Sequence, residues 1–196
     1  STTSTGQFKP GEVVTPGSDL WHTVRGELRF ADNPIPAGFF DPGSDPFTGV
    51  IQLGGNPLGG PLGDADTVVQ RMSEMTFPHV GSTDTVPIEL VALSLVSAAP
   101  ITVTGATGDT QWDVRVTLDP AATSGSMDGT RTNSGTFDSF FDVFTEITFE
   151  EVGNPGNTRT LNWNDFFDGP ISLDQVGDVP WDYFPLLGSQ VPGPAE

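Results

Sequence analysis

The chain has 196 residues and a formal net charge of −19, from 26 acidic and 7 basic residues. So acidic a chain excludes nucleic-acid binding, which needs a basic surface, and disfavours attachment to anionic membranes for the same reason. The charge fits a soluble extracellular protein, a cation-binding protein or a protein of high-salt surroundings. The chain has no cysteine, which excludes disulfides and thiolate metal sites, and no apolar run approaches the length of a membrane span.

Alternation of apolar and polar residues indicates an all-β fold. The 24 glycines and 18 prolines imply many turns and argue against long helices. We predict an antiparallel β-sandwich or jelly roll of about seven or eight strands with long loops rich in Gly, Pro and Asp. Residues 20–180 form this single domain in our prediction, with residues 1–19 as an extended arm and residues 181–196 as an extended tail.

Strands are predicted wherever period-two alternation is clear. Residues 31–46, 54–63 and 121–135 are instead predicted as loops or turns because they are rich in Gly, Pro or small residues. Residues 64–77 mix helical spacing with β-branched residues, and we favour a strand that ends at Arg71. In chain order, the predicted strands cover residues 24–30, 47–53, 64–71, 86–103 (interrupted at Pro100), 112–118, 135–150 and 158–163.

The longest alternating stretch is Gly135–Glu150, which predicts one long strand. One of its faces is apolar enough for a core. The other combines acidic residues with Phe140 and Phe144, an unusual pairing for a face that meets only water. A second stretch, Val86–Val103, is apolar on both faces in its middle, which predicts a strand buried on both sides.

Two of these stretches, VPIELVALSL (residues 86–95) and DSFFDVF (residues 138–144), resemble secreted β-rich bacterial proteins that carry a PEP-CTERM sorting signal read by an exosortase. The chain ends VPGPAE, which is similar to the Val-Pro-Glu-Pro motif of that signal but has Gly193 in place of Glu. The resemblance covers about a third of the chain. It implies export to the cell surface or matrix and implies no catalytic residues. A processed N-terminus, opening on Ser1 rather than Met, fits the same expectation.

The sequence offers few residues that could form a catalytic site. His22 and His79 are the only histidines, and no Gly-x-Ser-x-Gly motif is present. Asp138, Asp142 and Glu146 are spaced four residues apart, about 13 Å along a strand. That separation is too long for the paired carboxylates of a glycoside hydrolase. We therefore expect a protein that is not an enzyme.

Metal binding by pairs of aspartates in loops is the best-supported chemistry. Ca²⁺ takes six to eight oxygen ligands from carboxylates, carbonyls and water, and loops rich in Asp, Gly and Pro supply them. No complete EF-hand spacing is present, and Asp is also a common turn residue. We name Ca²⁺ as the expected cofactor. Its candidate ligands are Asp41, Asp45, Asp64, Asp66, Asp165 and Asp168, with Asp174 and Asp178 as a further pair.

Carbohydrate binding is the alternative function, because many carbohydrate-binding modules are β-sandwiches with exposed aromatic residues. Trp21, Trp163, Trp181 and Tyr183 are candidates for a stacking platform. The alternation around Trp112 places that residue in the core, and Trp163 shares a face with Leu161, so it too is expected in the core.

The leading expectation is a secreted structural protein that self-associates into a fibre, tube or surface layer with help from calcium. The expected partners are further copies of the chain, joined when one terminus crosses to a neighbour and adds a strand. A polysaccharide partner belongs to the alternative. The predicted assembly interface comprises Phe140, Phe144, Trp181, Tyr183 and Phe184.

Overall fold

Alternating β-branched and aromatic residues form strands over most of the chain. The computed structural model describes residues 12–119, 124–130, 136–143, 145–162, 171–180 and 190–191. The first eight strands are β1 (Glu12–Val14), β2 (Gly17–Trp21), β3 (Gly26–Arg29), β4 (Val50–Gly55), β5 (Thr67–Arg71), β6 (Met75–Phe77), β7 (Thr83–Ser97) and β8 (Ile101–Gly105). The others are β9 (Gly108–Leu118), β10 (Ser124–Thr130), β11 (Thr136–Val143), β12 (Thr145–Glu151), β13 (Thr158–Asn162), β14 (Ile171–Pro180) and β15 (Gln190–Val191).

Strand β7 belongs to two sheets and joins them. The first sheet has the order β15-β2-β5-β7-β10-β11-β14, and the second has the order β3-β4-β7-β9-β12-β13 with β8 beside β9. All of these pairs are antiparallel except β15 with β2. Strands β1 and β6 pair separately. The predicted all-β, antiparallel, sandwich-type fold is confirmed, and no helix in the described ranges could span a membrane.

Among the residues that the structure describes, two hydrophobic clusters hold the sheets. The first lies on the first sheet and includes Val69, Ile88 and Met127, with Met75 and Phe77 of β6 packed onto it. The second lies on the inner face of the second sheet around Trp112 and Phe149. Burial of Trp112, which is fully enclosed, confirms the alternation predicted for β9.

The stretch 135–150 is two strands rather than one. Strand β11 pairs with β10 and β14 in the first sheet, whereas β12 pairs with β9 and β13 in the second. Alternation continues because both halves are strands, so the pattern does not reveal that the chain changes sheet. Two further predictions were wrong: β10 lies within the predicted turn region 121–135, and Asp174 and Asp178 lie in β14 rather than in a loop.

Part of the predicted N-terminal arm belongs to the fold. Strand β1 pairs with β6 and β2 pairs with β5, so residues 12–14 and 17–19 are bound within their own chain. Asp19 and Arg71 are both almost fully buried, and Arg71 Nη1 donates to both Asp19 oxygens at 2.7 and 2.8 Å. Residues 1–11 of the predicted arm lie outside the described residues.

The prediction that Val86–Val103 is buried on both faces holds only in part. In the first half of β7, Val86, Ile88 and Leu90 are buried, but Val91 is 41% exposed. From Ala92 onward the strand is half-buried on both faces, where it passes from the first sheet into the second. The predicted break at Pro100 and the start of β8 at Ile101 are confirmed.

Candidate functional site

The predicted calcium ligands Asp41 and Asp45 lie in the loop that covers the second cluster. Asp41 is half-buried, with Oδ1 3.6 Å from Arg159 Nη2, so a cation of the chain already faces it. Arg159 Nε also donates to the Phe39 carbonyl, which ties this loop to β13. Asp45 is exposed, and its backbone N–H donates to the Thr104 carbonyl at 2.8 Å.

The pair Asp64 and Asp66 is divided between surface and interior. Asp64 is exposed, whereas Asp66 is fully buried. The Asp66 carboxylate accepts hydrogen bonds from the Thr23 N–H at 2.5 Å, the Thr23 hydroxyl at 2.8 Å and the Thr67 hydroxyl at 2.7 Å. His22 Nδ1 lies 3.3 Å from Asp66 Oδ2. This carboxylate therefore fastens the chain at Thr23 to the start of β5.

Within the described part of the chain, no group of three or more His, Asp or Glu side chains is arranged to hold a metal ion. Calcium binding remains a prediction. The candidate ligands Asp165 and Asp168 lie outside the described residues. The same holds for four residues of the predicted assembly interface: Phe144, Trp181, Tyr183 and Phe184. The backbone of Phe140 lies in β11, opposite Ser126 and Asp174.

Neither described tryptophan forms an exposed stacking platform. Trp112 is buried in the second cluster, with the Arg159 guanidinium carbon 5.6 Å from its ring centre. Trp21 is half-buried and packs on the first cluster. Trp163, Trp181 and Tyr183 lie outside the described residues.

Two open edges bound the second sheet among the described strands. Strand β3 pairs only with β4, and β13 pairs only with β12. The β3 edge carries Arg25 and Arg29, with Glu27 between them. Hydrogen bonds from Arg29 and Gln52 hold the pKa of Glu27 below its ordinary value. Arg29 bonds Glu27 of its own strand, and Arg25 bonds Gln52 of β4.

The β13 edge differs in charge. Thr158 and Thr160 are exposed on its outer face and carry no charge. Glu150 and Glu146 of β12 lie opposite Thr158 and Asn162 on this same face. The outer face beside β13 is therefore acidic, whereas the β3 edge has one more base than it has acids.

A slot opens in the second sheet between β4 and β8. Its two ends are closed by backbone hydrogen bonds, Ala98 N–H to the Gln52 carbonyl and Asp45 N–H to the Thr104 carbonyl, each 2.8 Å long. Between these bonds, residues 46–51 and 99–103 are fully described, and no backbone hydrogen bond joins them. Two adjoining cavities of about 330 Å³ each fill the opening.

A bulge in the strand beside β9 explains the slot. Val96 pairs with Arg115 and Ile101 pairs with Trp112, so residues 97–100 stand opposite only two residues of β9. The Ser97 hydroxyl accepts from the Val114 N–H at 3.0 Å and fills part of the interrupted ladder. Pro100 has no N–H to offer the β4 side. The sequence marked Pro100 as a break in the strand, but it did not indicate that the sheet opens there.

In comparisons with known proteins, no family model, no curated protein and no solved structure matches this chain.

Proposed function

We propose that this chain is a non-enzymatic structural protein of the cell surface or extracellular matrix that self-associates by strand addition. One copy would contribute its β3 edge and the next copy its β13 edge, so that the second sheet continues from copy to copy. The acidic composition and the resemblance to exported β-rich proteins support the location. The geometry of the second sheet supports the mode of association.

The observation that carries the proposal is the strand order of the second sheet. Six of its described strands, in the order β3-β4-β7-β9-β12-β13, alternate in direction without exception. Because the number is even, β3 and β13 run in opposite directions. A second copy in the same orientation therefore places its β3 antiparallel to the β13 of the first. All neighbouring strands within this sheet are paired in the same antiparallel way.

Such a contact joins two different surfaces and leaves both free edges available for further copies. Heterologous contacts of this kind produce open filaments unless the rotation closes a ring. Strands are spaced about 4.8 Å apart, so six strands give a repeat of roughly 29 Å. The usual twist of about 20–25° between neighbouring strands turns each copy by roughly 120–150°.

Charge favours this partner choice. Arg25 and Arg29 of one copy would approach the acidic face beside β13, where Glu146 and Glu150 lie on the next strand. Opposite charges across an edge guide association and fix register. The net charge of −19 opposes the approach of two copies, and calcium would assist by screening or by binding acidic side chains.

The test compares two lysine substitutions. Thr160→Lys places a charge on the β13 edge, a device that natural proteins use to block edge pairing. Thr117→Lys adds the same charge to an exposed threonine of the same face, but on the interior strand β9. With calcium present, light scattering and negative-stain images should show filaments for the wild type and Thr117→Lys, and monomers for Thr160→Lys. A wild-type chain that stays monomeric at high concentration overturns the proposal, as does a Thr160→Lys chain that assembles normally.

A further inference from the structure

We propose that the slot between β4 and β8 binds a single neutral sugar residue at the end of a glycan. This binding site is separate from the two edges of the second sheet. It therefore stays accessible whether or not copies associate through those edges.

The walls of the slot divide by polarity. Its floor consists of core side chains, among them the buried Ile51 and Ile101 and the half-buried ring of Phe47. Its rim consists of exposed residues, with Thr48 and Val50 on one side and Thr102 on the other. An occupant must accordingly present an apolar face downward and polar groups sideways.

Hydrogen-bonding groups line both sides of the rim. Gly49 accepts from Phe30 on the β3 side, and Gln52 accepts from Ala98 on the slot side. Backbone polar groups alternate in direction along a strand, so the N–H and C=O groups of Val50 and Thr48 face the slot. By the same alternation, Thr102 faces it from β8, since the Thr104 carbonyl accepts from Asp45. Threonine hydroxyls add donors and acceptors.

Charge decides against anionic ligands. Asp45 is the one ionisable residue among those lining the two cavities, and it lies at one end. No lining residue is basic, so nothing in the slot compensates a phosphate, sulfate or carboxylate. A neutral sugar ring meets the requirements of the floor, the rim and the charge. A pyranose is uncharged and has apolar C–H faces and hydroxyl groups around its edge.

Because both ends of the slot are closed, only the terminal residue of a glycan can occupy it. A through-running strand or the interior of a polysaccharide would have to pass in the plane of the sheet, where the bonds to Gln52 and Thr104 block both ends. A terminal residue can enter from the outer face instead. Each of the two adjoining cavities is near the small end of the range of about 300–1,000 Å³ for ligand pockets, so one cavity accommodates one sugar ring.

Gly49 keeps the floor in place. A side chain added at this position would come within 2.7 Å of the Phe47 ring, so the ring lies directly against the glycine backbone. Phe47 also contacts the Phe30 ring edge-on, with centroids 5.8 Å apart. The aromatic part of the floor is therefore fixed before any ligand arrives, which reduces the ordering cost of binding.

Chemical-shift mapping of the full chain with a panel of methyl glycosides of neutral hexoses, pentoses and N-acetylhexosamines tests the proposal. At least one glycoside should shift the amides of Val50 and Thr102. Thr102→Trp fills the slot and should abolish these shifts, whereas Thr117→Trp, at an exposed threonine of the interior strand β9, should retain them. Glucuronate and a short capped peptide serve as ionic and peptide probes.

Three outcomes overturn the proposal: no glycoside shifts the slot amides up to its solubility limit, both tryptophan variants behave alike, or the peptide or glucuronate binds in place of every neutral sugar. Retained backbone spectra of Thr102→Trp outside the slot establish that the variant is folded. Because the Thr160→Lys edge variant leaves the slot unchanged, it should still bind the glycoside, which separates this result from the outcome of the assembly test.

Discussion

The buried ion pair between Asp19 and Arg71 gives the sharpest prediction for stability. Both side chains are only 2% exposed, and the two hydrogen bonds of 2.7 and 2.8 Å leave the pair well matched. Removing one partner breaks a buried ion pair, which costs about 3–5 kcal/mol. Asp19→Asn and Arg71→Met should each lower the free energy of unfolding by this amount.

The loss is a large share of the roughly 5–15 kcal/mol that stabilises a domain. For a chain of this size it corresponds to a fall in Tm of roughly 6–20 °C, at about 2–4 °C for each kcal/mol. The double variant should be less destabilised than the sum of the single variants, because it removes both charges of the pair together. Urea unfolding followed by tryptophan fluorescence measures all three.

Arg115→Met is the matched control, since Arg115 is exposed on β9 and its loss should change stability by no more than about 0.5 kcal/mol. The reasoning is refuted if Asp19→Asn unfolds within about 1 kcal/mol of the wild type, or if the two single variants add without coupling.

Three further predictions concern a close packing contact, a carboxyl group and calcium. Gly55→Ala should destabilise the fold by about 1–3 kcal/mol in urea unfolding, because its methyl group would overlap the Asp66 carboxylate, while Gly54→Ala, which has open space, should not. Hydrogen bonds from Asn157 and a second asparagine lower the pKa of Glu151 from its ordinary value of 4.5. Its stabilising contribution is therefore complete above pH 4.5 and lost as pH falls through the lowered pKa; Asn157→Ala should raise that pKa in an NMR titration, and an unchanged value contradicts this. Calcium should raise Tm more than magnesium or sodium at matched ionic strength, and equal shifts would indicate screening alone.

Periodicity predicted the strands whose environment is uniform along their length. Strand β9 is the clearest case: Trp112, Val114 and Val116 point into the core, and the residues between them are exposed, as the alternation indicated. The preference for a strand ending at Arg71 is likewise confirmed by β5. In these strands each side chain keeps one environment, so the local pattern contains the needed information.

Where the environment depends on distant partners, the pattern was insufficient. The predicted loop 31–46 contributes the fully buried Ile35 and Phe40 to the second cluster, because it folds back over the sheet. The slot could not be predicted either. It arises because more residues lie between Val96 and Ile101 than between their two partners on β9. That mismatch exists only once the strands are paired.

The position of β7 in both sheets has a consequence for the kinetics of folding. Its neighbours β4, β5, β9 and β10 come from both sides of it in the sequence, so its hydrogen bonds form only after several long chain segments have closed. Non-local strand pairing of this kind slows folding. Since neither sheet is complete without β7, opening this strand would release both, and its central amides should be among the last in the chain to exchange with deuterium.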